Sequence, residues 1–186
     1  MKMRDVVIQL NLWQKLKDLV RVKVRDIYLH ISDFGPDVQW RKILFDNKAR
    51  PRAKFVTWMT CHGNLATKER LKRFGMLQTD HCGFCRAQET IEHLFFECRV
   101  MKQIWSQILD WLQVKHNPRG WIMELAWMLQ QTKKKSWKTK VLKMAFSETI
   151  YACWRLRNDT VFGNTVQIDT IGPSIIDTLI YRAWMC

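Results

Sequence analysis

Val6, Leu10, Trp13, Leu16, Val20, Val24, Ile27 and Ile31 recur every three or four residues, the spacing of one face of an amphipathic helix. Valine loses rotamer freedom in a helix, so a break is expected near Val20–Val24. "SDFGPD" at 32–37 reads as a turn punctuated by Gly-Pro, and "VQWRKILF" beyond it is too short and mixed to assign. "DNKARPRAK" at 46–54 is a basic connector, and Pro51 suits the first turn of a helix through "AKFVTWMTC". "GN" at 63–64 interrupts that helix. Thr67 is placed to cap "KERLKRF", and Gly75 to end it in the left-handed region.

Met101, Ile104, Trp105, Ile108, Leu109 and Leu112 mark another amphipathic helix, and "KHNPRG" at 115–120 is the best internal boundary. "WIMELAWMLQQ" reads as a short helix, apolar around much of its circumference, which suits a buried contact. "KKKSWKTKVLKMAFSETIYACWRLRN" reads as a long one, its broad apolar side made by Trp137, Val141, Leu142, Ala145, Phe146, Ile150, Cys153 and Trp154. A turn-rich piece, "GNTVQIDTIGP", precedes a final helix, "SIIDTLIYRAW". The pattern predicts a mainly α chain, a small helical bundle with little or no β, whose least regular part is residues 80–92. It divides into an N-terminal helical segment (1–45), a central segment (46–113) and a C-terminal basic helical segment (114–186), unless these form one continuous domain.

Composition changes this picture in two places. Ten tryptophans in 186 residues read first as core anchors, with base stacking as the alternative for any that are exposed. The net charge is +14, and cutting the chain after residues 45 and 113 divides it as +4, +4 and +6, so the whole chain is basic. Such a field favours a polyanionic partner, with RNA or DNA ahead of an anionic membrane surface. No run reaches the roughly 18 apolar residues of a transmembrane segment. An intracellular location is expected, nucleus or cytoplasm. The mitochondrion is the runner-up, because residues 1–31 carry seven basic residues against Asp5, Asp18 and Asp26.

The candidate chemistry lies in "CGFCRAQETIEHLFFEC", where the spacing is Cys82-x2-Cys85-x7-His93-x4-Cys98. Two cysteines separated by two residues form a tight turn whose backbone amides point at the thiolates, and Gly83 is expected to relieve its crowding. A Cys3His set is a closed tetrahedral zinc pattern with no position left for water. Soft thiolates exclude magnesium and calcium. Zn2+ is therefore the expected cofactor, held in a knuckle that staples the bundle. A disulfide is the poorer reading in a reducing compartment, and a chance cluster of buried thiols stays open as the alternative. His81 breaks the spacing and is taken as a surface residue, while Arg86 and Arg99 are near enough in sequence to offset the site's negative charge. Cys61, Cys153 and Cys186 read as ordinary core or terminal thiols.

"RPRAKFVTWMTCHGNLATKERLKRFGML" followed by "CGFCRAQETIEHLFFECRVMKQIW" resembles the zinc-binding domain found C-terminal to reverse transcriptase in plant non-LTR (LINE-type) retrotransposons. The matching marks are Pro51, Lys54, Phe55, Trp58, Thr67, Arg70, Leu71 and Gly75, then Cys82, Cys85, the run Glu89 to Leu94, Cys98 and Trp105. "YACWRLRNDTVF" at 151–162 resembles a Trp, Arg-Asn, Phe stretch downstream in the same polyproteins. In such relatives a segment like Asp37–Trp40 continues into a glycine- and serine-containing stretch, and "RKILFDNKARP" stands in its place here. The resemblance implies a Cys-Cys-His-Cys zinc module that helps a retroelement protein grip RNA or DNA, present here as a detached or domesticated fragment.

The expected function is a non-catalytic zinc-binding module that holds RNA or DNA through its basic surface. Candidate contacts are Lys48, Arg50, Arg52 and Lys54; Lys68, Arg70, Lys72 and Arg73; and Lys133, Lys134, Lys135, Lys138, Lys140 and Lys143. Phe84, at the tip of the Cys turn, is the favoured stacking residue, whereas Trp137 is expected to dock its helix on the core, with stacking on a base as its alternative. The alternative is a domesticated protein-interaction module, acting on a cellular partner or on itself through Trp-rich helices, with an acquired and even harmful activity. An enzyme is not expected, because no Ser, His, Asp or Glu grouping forms a catalytic constellation and the metal set is saturated.

Overall fold

The computed structural model describes residues 38–134, 136–165 and 167–184. The helix expected over Val6–Ile31, the turn at 32–37, Lys135 and Cys186 lie outside them. The described residues from Gln39 onward pack as one compact unit. It is built from α1 (Arg41–Leu44), α2 (Pro51–Cys61), α3 (Lys68–Arg73), α4 (Arg99–Trp111), α5 (Trp121–Gln131), α6 (Trp137–Val161) and α7 (Ile171–Trp184). Among the described residues there is no strand, only a single antiparallel bridge between His81 and Gln88.

Local chemistry sets most of these ends. Pro51 opens α2, where its missing N–H has no helical partner to lose. The Thr67 hydroxyl accepts from the Arg70 amide to cap α3, and Gly75 follows at φ +71°. The long helix starts later than its sequence pattern indicated. Ser136 turns extended and accepts from the Thr139 amide, so "KKK" precedes α6 rather than opening it. The last helix starts earlier, because Pro173 fits its first turn after a tight turn at Ile168–Thr170.

The centre of the unit is α6. Its residues Leu142–Ile150 are buried without interruption, polar ones included. α2 lies along it, α7 packs on both α6 and α4, and α5 closes on α1 and on the turn before α4. Rings from three regions meet at the core. Phe96, Trp105, Phe146 and Trp121 lie with centroids 5.8–5.9 Å apart. The segments 46–113 and 114–186 thus share one hydrophobic cluster.

Most polar groups drawn into this core are paired; among the described residues Glu89 Oε2 and Thr149 Oγ1 are buried without a hydrogen-bond partner. Asn47 sends its amide N–H groups toward Ile43 O, Lys143 O and Ser147 Oγ, and accepts from the Ala49 amide, tying the basic connector to α6. Glu124 is fully buried and accepts from Trp105 Nε1 at 2.7 Å, with His116 Nε2 at 2.9 Å on its other oxygen. α5 is therefore not apolar all round: it buries Trp121, Glu124 and Met128 and leaves Ile122 and Met123 exposed.

Candidate metal centre

Three local devices bring the four predicted ligands together. The first is the loop at 81–88. Cys82 N–H donates to Ala87 O at 2.7 Å and Arg86 N–H to Cys82 O at 3.0 Å, with Arg86 at φ +63° closing the turn. The amides of Phe84 and Cys85 point at the Cys82 sulfur, as the two-residue spacing predicts. Gly83 has a different role from the one expected. It is not in the left-handed region, and a Cβ there would meet Thr160 Cγ2 of α6 at 3.2 Å. Its bareness lets the knuckle lie against the long helix.

The second device is a kinked turn at His93–Glu97, where Phe95 leaves helical geometry and Phe96 takes φ +81°. That strained conformation turns Leu94, Phe95 and Phe96 all into the core. It also returns the chain so that Cys98 N–H donates to His93 O at 2.7 Å, placing both ligands on one side. The third is the start of α4. Cys98 precedes its first turn, and the amides of Val100 and Met101 point at the sulfur.

The ligand atoms of Cys82, Cys85, His93 and Cys98 all lie within 4.8 Å of one another. Cys82 Sγ and Cys98 Sγ are 3.9 Å apart, and Cys85 Sγ lies 3.1 Å from His93 Nε2. Donors about 2.3 Å (S) and 2.0 Å (N) from a tetrahedral ion stand roughly 3.5–3.8 Å from each other. The set therefore fits Zn2+ in number, softness and spacing. Cys82 and Cys98 are buried, His93 is half-buried and Cys85 is exposed, so the site sits at the edge of the core.

Within the Cys82–Cys98 pair one thiolate is favoured. A hydrogen bond from Cys98 is the largest influence on Cys82 and lowers its pKa to about 4, against the opposing effect of burial; the Phe84 amide, His93 and the Cys85 amide add to the lowering. Cys98 is raised, first as the donor of that bond and then by its own burial. The other thiols behave as predicted core residues: burial pushes both Cys61 and Cys153 up to about 12. His81 is exposed and outside the ligand set, its carbonyl accepting from Lys68 Nζ.

Residues 23–105 match the family zf-RVT, zinc-binding in reverse transcriptase. All four ligands fall inside the matched segment, which covers a little under half of the chain. No curated protein and no solved structure matches the chain. The match ends within α4, so α5, α6 and α7 lie beyond the matched segment in sequence while sharing the core of its described residues.

One contact between the two is carried by residues the sequence marked without a partner. Arg157, in the "WRLRN" stretch of α6, donates from Nε and Nη2 to Glu89 Oε1 at 2.9 and 2.6 Å. Glu89 Oε1 also accepts from the Lys68 amide at 2.9 Å, and Arg157 Nη2 reaches Ala66 O at 3.1 Å. A second link is Glu92, whose carboxylate accepts from the Ile122 amide and so caps α5 from across the fold. The sequence signal for both was present in the Glu89-to-Leu94 run. Its meaning needed the partners' positions.

The basic candidates divide by what holds them. Arg50 is bound to buried Glu148 through Nε and Nη2, at 2.8 and 2.6 Å. Lys68 donates to His81 O, Arg70 to Gly63 O and Asn64 Oδ1, Lys72 pairs with Asp80 at 3.2 Å, and Arg73 with Glu69. The α3 cations are thus engaged by surface partners, although none is buried. Lys48 and Lys140 lie 3.8 and 4.0 Å from Asp46. Arg52 is exposed, Lys54 half-buried, and Lys133, Lys134, Lys138 and Lys140 are exposed.

Three expectations need correction. Lys143 is not on a solvated face: it is 9% exposed, its Nζ donates to Phe45 O at 2.6 Å, and burial lowers its pKa. Phe84 is half-buried against the core, where the knuckle folds back on the bundle, rather than standing free at a tip. Trp137 does not dock α6 on the core. It is 69% exposed, because the helix begins at that residue, ahead of its buried stretch. The sequence also passed over a surface ladder. Phe55 stacks on Trp58 with centroids 5.9 Å apart, both rings exposed, and His62 meets Trp58 edge-on at 4.6 Å.

Proposed function

We propose that the chain is a non-catalytic, zinc-stapled module derived from a plant LINE-type retrotransposon polyprotein, binding RNA or DNA through its basic surface inside the cell. The observation that carries this reading is the lysine run before and along the start of α6. Lys133, Lys134, Lys138 and Lys140 are exposed, and among the described residues the one acid within ion-pair reach of any of them is Asp46, 4.0 Å from Lys140. An uncompensated cluster of this kind suits phosphates, whose contacts release counterions without reading sequence. Support also comes from the exposed Phe55–Trp58 stack, which lies on the same face of α2 as Arg52, one helical turn away. A non-catalytic role fits four protein ligands that leave a tetrahedral ion no open position.

The test is the variant K133E/K134E/K138E/K140E, compared with wild type by fluorescence anisotropy on labelled RNA and DNA. The reading expects affinity to fall at least tenfold with zinc content unchanged; equal affinity would sink it. A second reading, contact with a partner protein, is favoured by the end of α7. Trp184 is 86% exposed, with Tyr181 and Ile180 also exposed on that helix. Pull-down that survives nuclease and high salt, and is lost in Trp184→Ala, would favour it. No helix among the described residues is long and apolar enough to cross a membrane.

A further inference from the structure

The exposed indole of Trp137 does not stand alone. It forms one wall of a groove of about 260 Å³ between the start of α6 and the end of α4, where the chain leaves Leu112. Leu112, Val114, Val141 and Leu142 supply the apolar lining, beside the polar Gln131, Ser136 and Thr139. Among the described residues that line it, Lys134 and Lys138 are the charged ones and none is a carboxylate. Resting on the nucleic-acid reading above, we propose that this groove takes one unpaired nucleobase of a single-stranded polynucleotide, stacked on Trp137, with the flanking phosphates on Lys134 and Lys138.

Three arguments select this occupant. A partly apolar groove rimmed by cations, with no carboxylate among its described lining residues, matches a base between two phosphates. The volume lies below the roughly 300–1,000 Å³ of ordinary small-molecule pockets, so it fits a single ring system rather than a folded ligand. A docking amphipathic helix would need a longer groove with anchors at successive turns. Base faces are also inaccessible in a duplex, whereas every unpaired base offers one to an aromatic platform. The site therefore discriminates strand state, which the lysines alone would not.

The zinc-loaded full chain is titrated with an end-labelled single-stranded oligouridylate, the same length carrying abasic positions, and a duplex, for wild type, Trp137→Ala and Trp137→Phe. Wild type is expected to prefer the base-bearing single strand. Trp137→Ala should cut that affinity on the order of 5- to 100-fold, leave duplex affinity and salt dependence unchanged, and be largely rescued by Trp137→Phe. Trp137→Ala binding the single strand as tightly as wild type overturns the proposal while leaving the general reading intact. No binding of wild type to any polynucleotide removes both. Concentration-dependent self-association that disappears in Trp137→Ala, with polynucleotide binding untouched, overturns it in favour of a protein contact.

Discussion

Arg157 donates twice to one oxygen of Glu89, at 2.9 and 2.6 Å, with both side chains almost wholly buried. Oε2 of the same carboxylate is buried with no hydrogen-bond partner among the described residues. This pair joins the loop that carries the knuckle to the central helix, so it couples the metal site to a part of the fold outside the matched domain. Removing one member leaves a buried charge uncompensated. Arg157→Ala is expected to cost about 3–5 kcal/mol in urea unfolding. Glu89→Gln keeps an acceptor for the Lys68 amide but leaves the buried Arg157 charge without its counter-charge, so it should destabilise as well. A loss below about 1 kcal/mol for Arg157→Ala would contradict the coupling.

Metal removal should be felt across the whole unit. Cys82 and Cys98 belong to the same buried cluster as α6. Zinc binding in small sites contributes on the order of 10 kcal/mol, against a total stability of about 5–15 kcal/mol for a domain. Chelation at neutral pH is expected to lower the thermal midpoint in one cooperative transition, seen alike by far-ultraviolet circular dichroism and by tryptophan emission. Acidification should have the same effect, since protons compete for the ligands. Two separate transitions, with the bundle unmoved, would show that the knuckle is an appendage.

Glu92 gives a pH dependence with a definite sign. Burial raises its pKa, the bond from the Ile122 amide opposes this, and Glu97 adds to the rise. A carboxyl raised in the folded state binds its proton more readily there than in the unfolded chain. Its contribution is therefore present at low pH and lost as pH rises through the raised pKa. Glu92→Gln keeps an acceptor for the α5 cap without the charge. The stability of wild type relative to this variant should fall between acid and neutral pH. A difference that grows more favourable to wild type over that range would be the wrong sign. Glu92→Ala should cost about 1 kcal/mol at neutral pH as a lost cap, and more in acid, where the raised carboxyl adds its contribution.

Gly120 sits beside that cap at φ +113°, and a Cβ there would lie 2.7 Å from Glu92 Oε1 and 2.9 Å from Glu97 Cγ. Gly120→Ala combines backbone strain with displacement of both acids. Its expected cost is about 1–3 kcal/mol in equilibrium unfolding, with zinc stoichiometry unchanged. Gly63→Ala is the control: its φ is +68°, but nothing lies within 4 Å of the added carbon. Equal losses for the two would reduce Gly120 to its backbone angle alone.

The ligand set was readable because zinc chemistry depends on residue types at short spacings, all within 82–98. Helices were readable where caps are local, as at Pro51, Thr67 and Gly75. Exposure was not. Trp137 and Trp105 look alike in an apolar pattern, yet one begins its helix ahead of the buried stretch while the other is fully buried with its N–H on Glu124. Basic residues were harder still. Arg50 and Lys143 have the composition of a phosphate contact, but their partners, Glu148 and Phe45 O, are 98 residues away in the chain. Charge patterns along a sequence do not say which cations the fold has already spent.

The most direct test of the nucleic-acid reading is the salt dependence of binding by the zinc-loaded chain. Affinity for a single-stranded oligonucleotide is measured at 50 and 200 mM monovalent salt. Phosphate contacts from the exposed lysines of the α6 run should give a steep, linear fall of log K with log salt, with a slope of about −0.7 per phosphate neutralised. A flat response, or no binding at the lower salt, would contradict a function exercised through that surface.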